Sequence, residues 1–551
     1  MTPCNAAATR FARSRCGSRL PQAASLAMRC GRTLPRAPRR GMSTHTIGRS
    51  ERGVTTVPKY KRRPPRPSLS EFQGTEDGPL SEFIAGRLRG RYGFVTQRKE
   101  WFENTGAVWR PLADEVLRDL VRLELKALFD VLYDENPKRA PYAILNRGKV
   151  ENASALLRGI LPMDYGKFDQ HPNHLNTPDG VIDLRTGERL PHSDKFLFTA
   201  ITRASYDPGV TSQNWSRALE ALPAEVHEYV QVVMGQAITG YPPDDDKVRF
   251  LQGGGENGKS SFLDAIRLAL GGFAGPVPDK VMVARADEHP TELLELRGKR
   301  LVVQEEMPQG ARVSTKRLKD VAGTAELNAR PLYGKTVVWQ ATHSMFVTSN
   351  HRPLITETDH GTWRRLEMIE FPYRFVRGRA RRKAGERPGD PALRQALRTE
   401  PDPAVLAWLV EGAKRWFAAG MRLPAPPELV VTSTDAWRAI ADDVLRFVSE
   451  NLDFDAGGIV LTKDVRQAFD AWCLANNKTP WSDRTYGERF GEHPILRERG
   501  AVVARIRVDK VAVSRPAYIG SGTTRAATKD AAPPTGLRRV WRGLTWKLPG
   551  S

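Results

Sequence analysis

Apolar positions recur along this chain in two rhythms, and the switch between them marks its elements. Short apolar runs of strand length stand at Val248-Arg249-Phe250-Leu251-Gln252, Leu301-Val302-Val303-Gln304 and Met345-Phe346-Val347-Thr348-Ser349. Helical spacing follows the first run over Ser261 to Leu270. Strands and helices alternate in this way from about 246 to 375, which predicts an α/β layer. Upstream, helices are predicted over Ser81 to Arg89, Ala113 to Tyr133 and Val226 to Ile238, the last ended by Gly240. Trp101-Phe102 and Val108-Trp109 predict a short hairpin that displays aromatics. His174-Leu175-Asn176 and Gly180-Val181-Ile182-Asp183-Leu184 read as strands joined by Pro178-Asp179, with a turn after them at Arg185-Thr186-Gly187-Glu188. Downstream, Ala404 to Ala419 is helical and Pro424-Ala425-Pro426-Pro427 marks a boundary. Helices at Ala436 to Asn451 and Asp464 to Ala475, with a late strand pair, predict a small winged-helix-like domain.

These patterns divide the 551 residues into a basic tail and linker (1–68), an α-rich accessory domain (69–225), an α/β core (226–425), a winged-helix-like domain (426–520) and a C-terminal tail (521–551). No apolar run is long enough to span a bilayer, so no membrane partner is expected. The net charge of +22 is uneven. Residues 1–67 hold sixteen Arg and Lys against one acid, Glu51, leaving about +7 for the rest. The first fifty residues carry no Asp or Glu and three of the four Cys, a composition like a transit peptide. An upstream start codon, with Met42 as the true start, is the simpler account, and either way the segment is expected to be disordered. Cys473 alone cannot form a disulfide framework, so a reducing, cytoplasmic compartment is expected.

Candidate chemistry centres on Gly253-Gly254-Gly255-Glu256-Asn257-Gly258-Lys259-Ser260, followed by Ser261. The stretch fits G-x-x-x-x-G-K-[ST] between a strand and a helix, the context of a phosphate-binding P-loop. Glycines let backbone N–H groups turn inward on a phosphate, and the helix N-terminus adds positive dipole. Lys259 would reach the β- and γ-phosphates of ATP, and Ser260 would ligate Mg²⁺. Leu301 to Gln304 delivers two acids, Glu305 and Glu306, where a carboxylate holds the metal or takes a proton from water. The strand at 345–349 delivers Asn350, whose amide would orient water; a turn-forming Asn is the alternative. Asp359-His360-Gly361-Thr362-Trp363-Arg364-Arg365 offers an arginine finger at Arg364 or Arg365, or else a surface ion pair. Between them, Arg330 and the turn Gly334-Lys335 would place a basic hairpin against a phosphate backbone, or simply form a solvated face.

In this order (NGKS, VVQEE, basic hairpin, TSN, then D-x-x-x-W-R-R) the motifs resemble superfamily 3 helicases. More narrowly they resemble the phage/plasmid primase–helicase family of poxvirus type. Residues 81–109, Leu175-Asn176 with Gly180 through Gly187, Tyr206-Asp207-Pro208, Trp215 and Gly235 to Gly240 extend the likeness over about 80–480. The resemblance implies an α/β P-loop NTPase fold, an AAA-plus-like superfamily 3 core. It implies an ATP- and Mg²⁺-dependent ring, usually hexameric, that moves along single-stranded or forked DNA, with a separate primase or polymerase as a partner. Lys259 and Ser260 would bind phosphate and metal. Glu306 would be the catalytic acid, with Glu305 assisting at the metal. Asn350 would sense the γ-phosphate, Arg364 or Arg365 would be the finger, and Lys335 would contact DNA. The chain departs from the larger members in having only about seventy residues before the accessory domain, so no primer synthesis is expected of it.

Two further features are ambiguous. Arg484, Arg489, Arg497 and Arg499 lie near the expected recognition surface of the C-terminal domain, which would either bind DNA or serve packing. Trp541 and Trp546, with Arg538, Arg539 and Arg542, would either stack on bases or pack a terminal strand. Two rival functions stay open: a DNA-binding initiator or loader that uses ATP as an assembly switch, and a small-molecule kinase.

Overall fold

A computed structural model describes residues 64–547, apart from 71, 139–140, 278–280, 282–290, 308–311, 323–324, 331–335, 356–359, 379–382, 492 and 508–536. The N-terminal part packs three helices, Asp77–Leu88, Asp114–Glu135 and Arg147–Ile160, on a four-stranded sheet. The expected hairpin is there, pairing Glu100–Asn104 with Trp109–Leu112. Its aromatics are not displayed, because Trp101, Phe102 and Trp109 all lie in the core. A second sheet, made of His174–Thr177, Gly180–Asp183 and Arg189–Leu190, follows.

The centre is a five-stranded parallel sheet. Its strands are β1 (Val248–Gln252), β2 (Ala274–Pro276), β3 (Leu301–Gln304), β4 (Ser344–Ser349) and β5 (Leu366–Glu370), in the order β5-β1-β4-β3-β2. The near-continuous apolar runs follow from burial on both faces. Alternate side chains feed two separate cores. Leu251, Leu301, Val303, Phe346 and Ile369 join Phe262, Val233 and Leu409 on one face. Val248, Phe250, Val302, Val347 and Met368 join Leu318, Trp363 and Trp437 on the other. Parallel connection puts the carboxyl ends of β1, β3 and β4 on one edge of the sheet, and the three predicted motifs follow those ends.

The C-terminal part holds a three-stranded antiparallel sheet of β6 (Leu452–Leu461), β7 (Val502–Arg507) and β8 (Leu537–Trp546), ordered β6-β8-β7. Residues 537–546, read from sequence as part of a tail, are therefore its central strand. The helix expected over 436–451 is two helices, Glu428–Ala441 and Asp443–Asn451. Asp442 breaks it by accepting from the Val444 and Leu445 backbone at 3.0 and 3.1 Å, an N-cap for the second helix. Its other oxygen meets buried His493 Nε2 at 2.8 Å.

Candidate functional site: the carboxyl edge of the parallel sheet

The loop after β1 turns tightly because of what crowds it. A Cβ added at Gly253 would lie 1.7 Å from Asn257 Nδ2 and 2.7 Å from the Phe371 carbonyl. At Gly258, where φ is +83°, the backbone is left-handed and hands over directly to helix α1, Lys259–Leu270. The helix thus begins two residues earlier than the apolar spacing predicts, and Lys259 and Ser260 occupy its first turn. Glu256 also has positive φ, +49°, and ties the loop down: its carbonyl accepts from Phe375 N at 2.7 Å, and its carboxylate pairs with Arg374 at 3.1 Å.

Lys259 is buried, and its ammonium donates to the Gly253 carbonyl at 2.6 Å and to Asn350 Oδ1 at 3.1 Å. The loop after β1 and the end of β4 therefore meet at one cation. Burial pushes the Lys259 ammonium down to about 8, while the Glu306 carboxylate pulls the other way. Because its folded value is depressed, the unfolded chain holds a proton between pH 8 and 10.5 that the folded chain releases, so nucleotide-free stability rises with pH across that window. Lys259→Met is accordingly expected to raise the melting temperature of the nucleotide-free protein at pH 7, by about 2–4 °C, with the gain shrinking towards pH 10. Thermal melts of the two proteins across pH check this.

The two acids after β3 part company. Glu305 turns to Arg267 on α1 and forms an ion pair there, away from the metal role the resemblance implies for it. Glu306 has φ +46°, and its backbone N–H donates to Thr348 Oγ1 at 3.0 Å, stitching the end of β3 to β4. Its carboxylate is exposed and acts electrostatically on Lys259. Gln304, just before them, is fully buried, and neither of its amide atoms has a partner among the described residues. Sequence reasoning passed over Gln304, Thr348 and Arg267; a polar residue closing an apolar strand was the available signal for the first.

Arg364 and Arg365 lie at the other end of β1. The Arg365 carbonyl accepts from Val248 N at 2.8 Å, and its Nη1 donates back to the Gly361 carbonyl at 2.6 Å. Arg364 is exposed. Arg330 is exposed at the end of one strand of an antiparallel pair, Glu326–Ala329 with Val337–Gln340. Lys335 lies outside the described residues.

Ser260 is exposed, and its hydroxyl makes no hydrogen bond among the described residues. With the Glu306 carboxylate it supplies hard oxygen donors of the kind Mg²⁺ takes alongside phosphate oxygens, so the residues present fit that ion. Among the described residues no group of three or more His, Cys, Asp or Glu is placed to hold a metal unaided. No described helix is long and apolar enough to cross a membrane. Beside the loop opens a cavity of about 530 Å³. Ala218, Ala221, Phe375 and Leu393 form its apolar wall, with Asn257 and Arg394 at its polar side.

The geometry is that of an α/β protein with a parallel sheet and a glycine-rich loop that leads into a helix at the carboxyl edge of that sheet. Residues 81–222 match the family model described as D5 N terminal like, and 251–365 match a family of unknown function, DUF5906. A protein of African swine fever virus named as a primase is 22% identical over 327 residues, covering 56% of this chain and 34% of that protein. A protein of Acanthamoeba polyphaga mimivirus named as a helicase is 25% identical over 338 residues, covering 58% and 34%. The chain thus spans about a third of the length of these relatives. Among solved structures, the NrS-1 C-terminal region is similar at 11% identity and a TM-score of 0.41, covering 76% of this chain and 86% of that one. These matches to the D5 N terminal like model and to viral proteins named as a primase or a helicase support a likeness to phage-type primase–helicases.

Proposed function

We propose that this chain is an ATP-dependent DNA helicase or translocase of phage or mobile-element replication, built on a superfamily 3 P-loop core that works as a ring. The observation that carries the reading is the meeting of Lys259, Asn350 and Glu306 at one sheet edge, each from a different strand end, beside a cavity of nucleoside size. In this reading the loop N–H groups and Lys259 hold the phosphates of ATP, the ammonium exchanging the Gly253 carbonyl for a phosphate oxygen. The nucleoside lies against Phe375 and the Ala218–Ala221 wall. Bound Mg²⁺, held by Ser260 and an oxygen of the acid pair, would neutralise charge on the β- and γ-phosphates. Glu306 accepts the proton of the attacking water, and Asn350 orients that water.

Arg364 is the better candidate for the finger. Arg365 is spent on the Gly361 carbonyl, whereas Arg364 is exposed and a strand length, on the order of 13 Å, from its own loop. From there it serves a neighbouring subunit's ATP rather than its own, which is what a ring with nucleotide at subunit interfaces requires. Arg330, at the end of its strand, would meet the translocated DNA strand, with Lys335 in the same role by resemblance.

The test is ATP hydrolysis with and without single-stranded DNA, beside Lys259→Ala. Hydrolysis stimulated several-fold by DNA and abolished in the variant is the expected result. Hydrolysis indifferent to DNA would remove the motor and leave an assembly switch.

A further inference from the structure

We propose that the end of the β7–β8 ribbon is a duplex-DNA contact, separate from the motor site. β6 stops at Leu461, opposite Val540. Beyond that point, among the described residues, β7 and β8 pair with each other alone: Arg505 with Arg539, Ile506 with Arg538, and Arg507 with Leu537. Four of these six residues are arginine and none is acidic. Arg505, Arg538 and Arg539 are exposed, as is Arg542 further along β8. Among the described residues no carboxylate lies within ion-pair distance of any of these exposed arginines.

The register makes this arrangement costly without a partner. Arg505 and Arg539 stand directly opposite each other on one face, and like charges in that position destabilise a strand pair. A polyanion along the ribbon removes the repulsion. Three of the four neighbouring arginines that the sequence offered for DNA are otherwise engaged. Arg484 pairs with Glu488 at 2.9 Å, Arg489 lies over the Trp481 ring and Arg499 over Phe454. Trp541 and Trp546 are buried, so base stacking on them is excluded in this fold and the ribbon's chemistry is its guanidinium groups. Guanidinium forks match phosphate oxygens. A two-stranded ribbon fits the major groove of B-form DNA, whereas the deep, narrow major groove of an RNA duplex does not admit it. The occupant that fits is therefore double-stranded DNA held through its backbone.

The experiment uses the full chain without nucleotide, so its outcome does not depend on the ATP site. Affinity for a blunt DNA duplex is measured against salt for the wild type and for Arg505→Ala/Arg538→Ala/Arg539→Ala. The expected result is at least a tenfold weaker complex at low salt. The slope of log K against log salt should become shallower by about 2–3, near 0.9 for each phosphate no longer neutralised. DNA-stimulated hydrolysis is expected to persist, and the corresponding triple lysine variant should recover most of the affinity. Should the alanine variant fail to fold, Arg538→Glu alone, at an exposed position, is expected to weaken the complex in the same sense. Duplex affinity and slope unchanged from wild type would overturn the proposal. So would equal losses for duplex and single strand, or equal binding of an RNA duplex.

Discussion

Glu306→Gln is expected to cut ATP hydrolysis by about 10²–10⁴-fold while leaving ATP affinity nearly unchanged, and Glu305→Gln is expected to cut it less than about tenfold. Adjacent in sequence, the two acids have different surroundings. Glu305 is held by Arg267 on the surface of α1, where its charge is already matched. Glu306 sits in the left-handed region, a conformation that costs a non-glycine residue roughly 1 kcal/mol or more and persists where neighbours enforce it. Here the enforcement is visible. Thr348 Oγ1 takes the Glu306 N–H, and the Thr348 carbonyl takes that of Met307 at 3.2 Å, so β4 holds the end of β3 in its turn. The effect of the turn is to aim one carboxylate at Lys259 and to leave the other outside. Thr348→Val should therefore lower the rate too, by less than Glu306→Gln, through loss of positioning. Steady-state hydrolysis and nucleotide binding, measured on the three variants, decide the assignment. Greater damage from Glu305→Gln would reverse the roles proposed for the pair.

Much of this edge was legible from sequence because it is built from local signals. The apolar runs mark β1 and β3 to the residue and β4 to within one, and each delivers its polar residue at the carboxyl end, where parallel topology gathers them. What was not legible depends on partners far away in the chain. Nothing in VVQEE distinguishes Glu305 from Glu306, since Arg267 and Thr348 decide it. The aromatics at 101–109 alternate like a displayed hairpin but are covered by elements that follow, Phe168 among them, 5.2 Å from Phe102 between ring centroids. Residues 537–546 read as a tail because three arginines and Gly543 interrupt the apolar pattern. The strand is central nonetheless, since Val540, Trp541, Leu544 and Trp546 supply enough burial against the helices.

Arg249 shows the same limit most sharply, and carries the second large prediction. In VRFLQ it looks like an intrusion into a buried strand. Its partner is Glu367, directly opposite on β5 and 118 residues away, at 3.1 Å. Both are almost wholly buried, at 1% and 2% exposed. Tyr229 Oη donates to Glu367 at 2.6 Å and Lys247 Nζ at 2.8 Å, and Asp245 takes the far end of Arg249 at 2.6 Å. Burial alone would raise the Glu367 carboxyl, but Arg249 and Lys247, with the Tyr229 hydroxyl, outweigh it and hold the group below its ordinary value. The network pins the strand that carries the glycine-rich loop to the strand that follows Arg364 and Arg365. Glu367→Gln removes one of the two carboxylates that neutralise Arg249, the buried one, and leaves Asp245; it is expected to cost about 3 kcal/mol, the low end for breaking a buried pair. In a domain of this size that corresponds to a fall in melting temperature of roughly 10 °C. Arg249→Met with Glu367→Leu should be less destabilised than Glu367→Gln alone, since the pair is then replaced rather than broken. The depressed carboxyl also gives a sign in pH: its stabilisation is complete above the ordinary value of 4.5 and fades as pH falls below it, so the wild type should lose its advantage over Glu367→Gln in acid. Melting curves of the three proteins between pH 3 and 7 measure both effects. A single variant as stable as wild type at neutral pH would mean that the loop-bearing strand is held by its apolar faces alone.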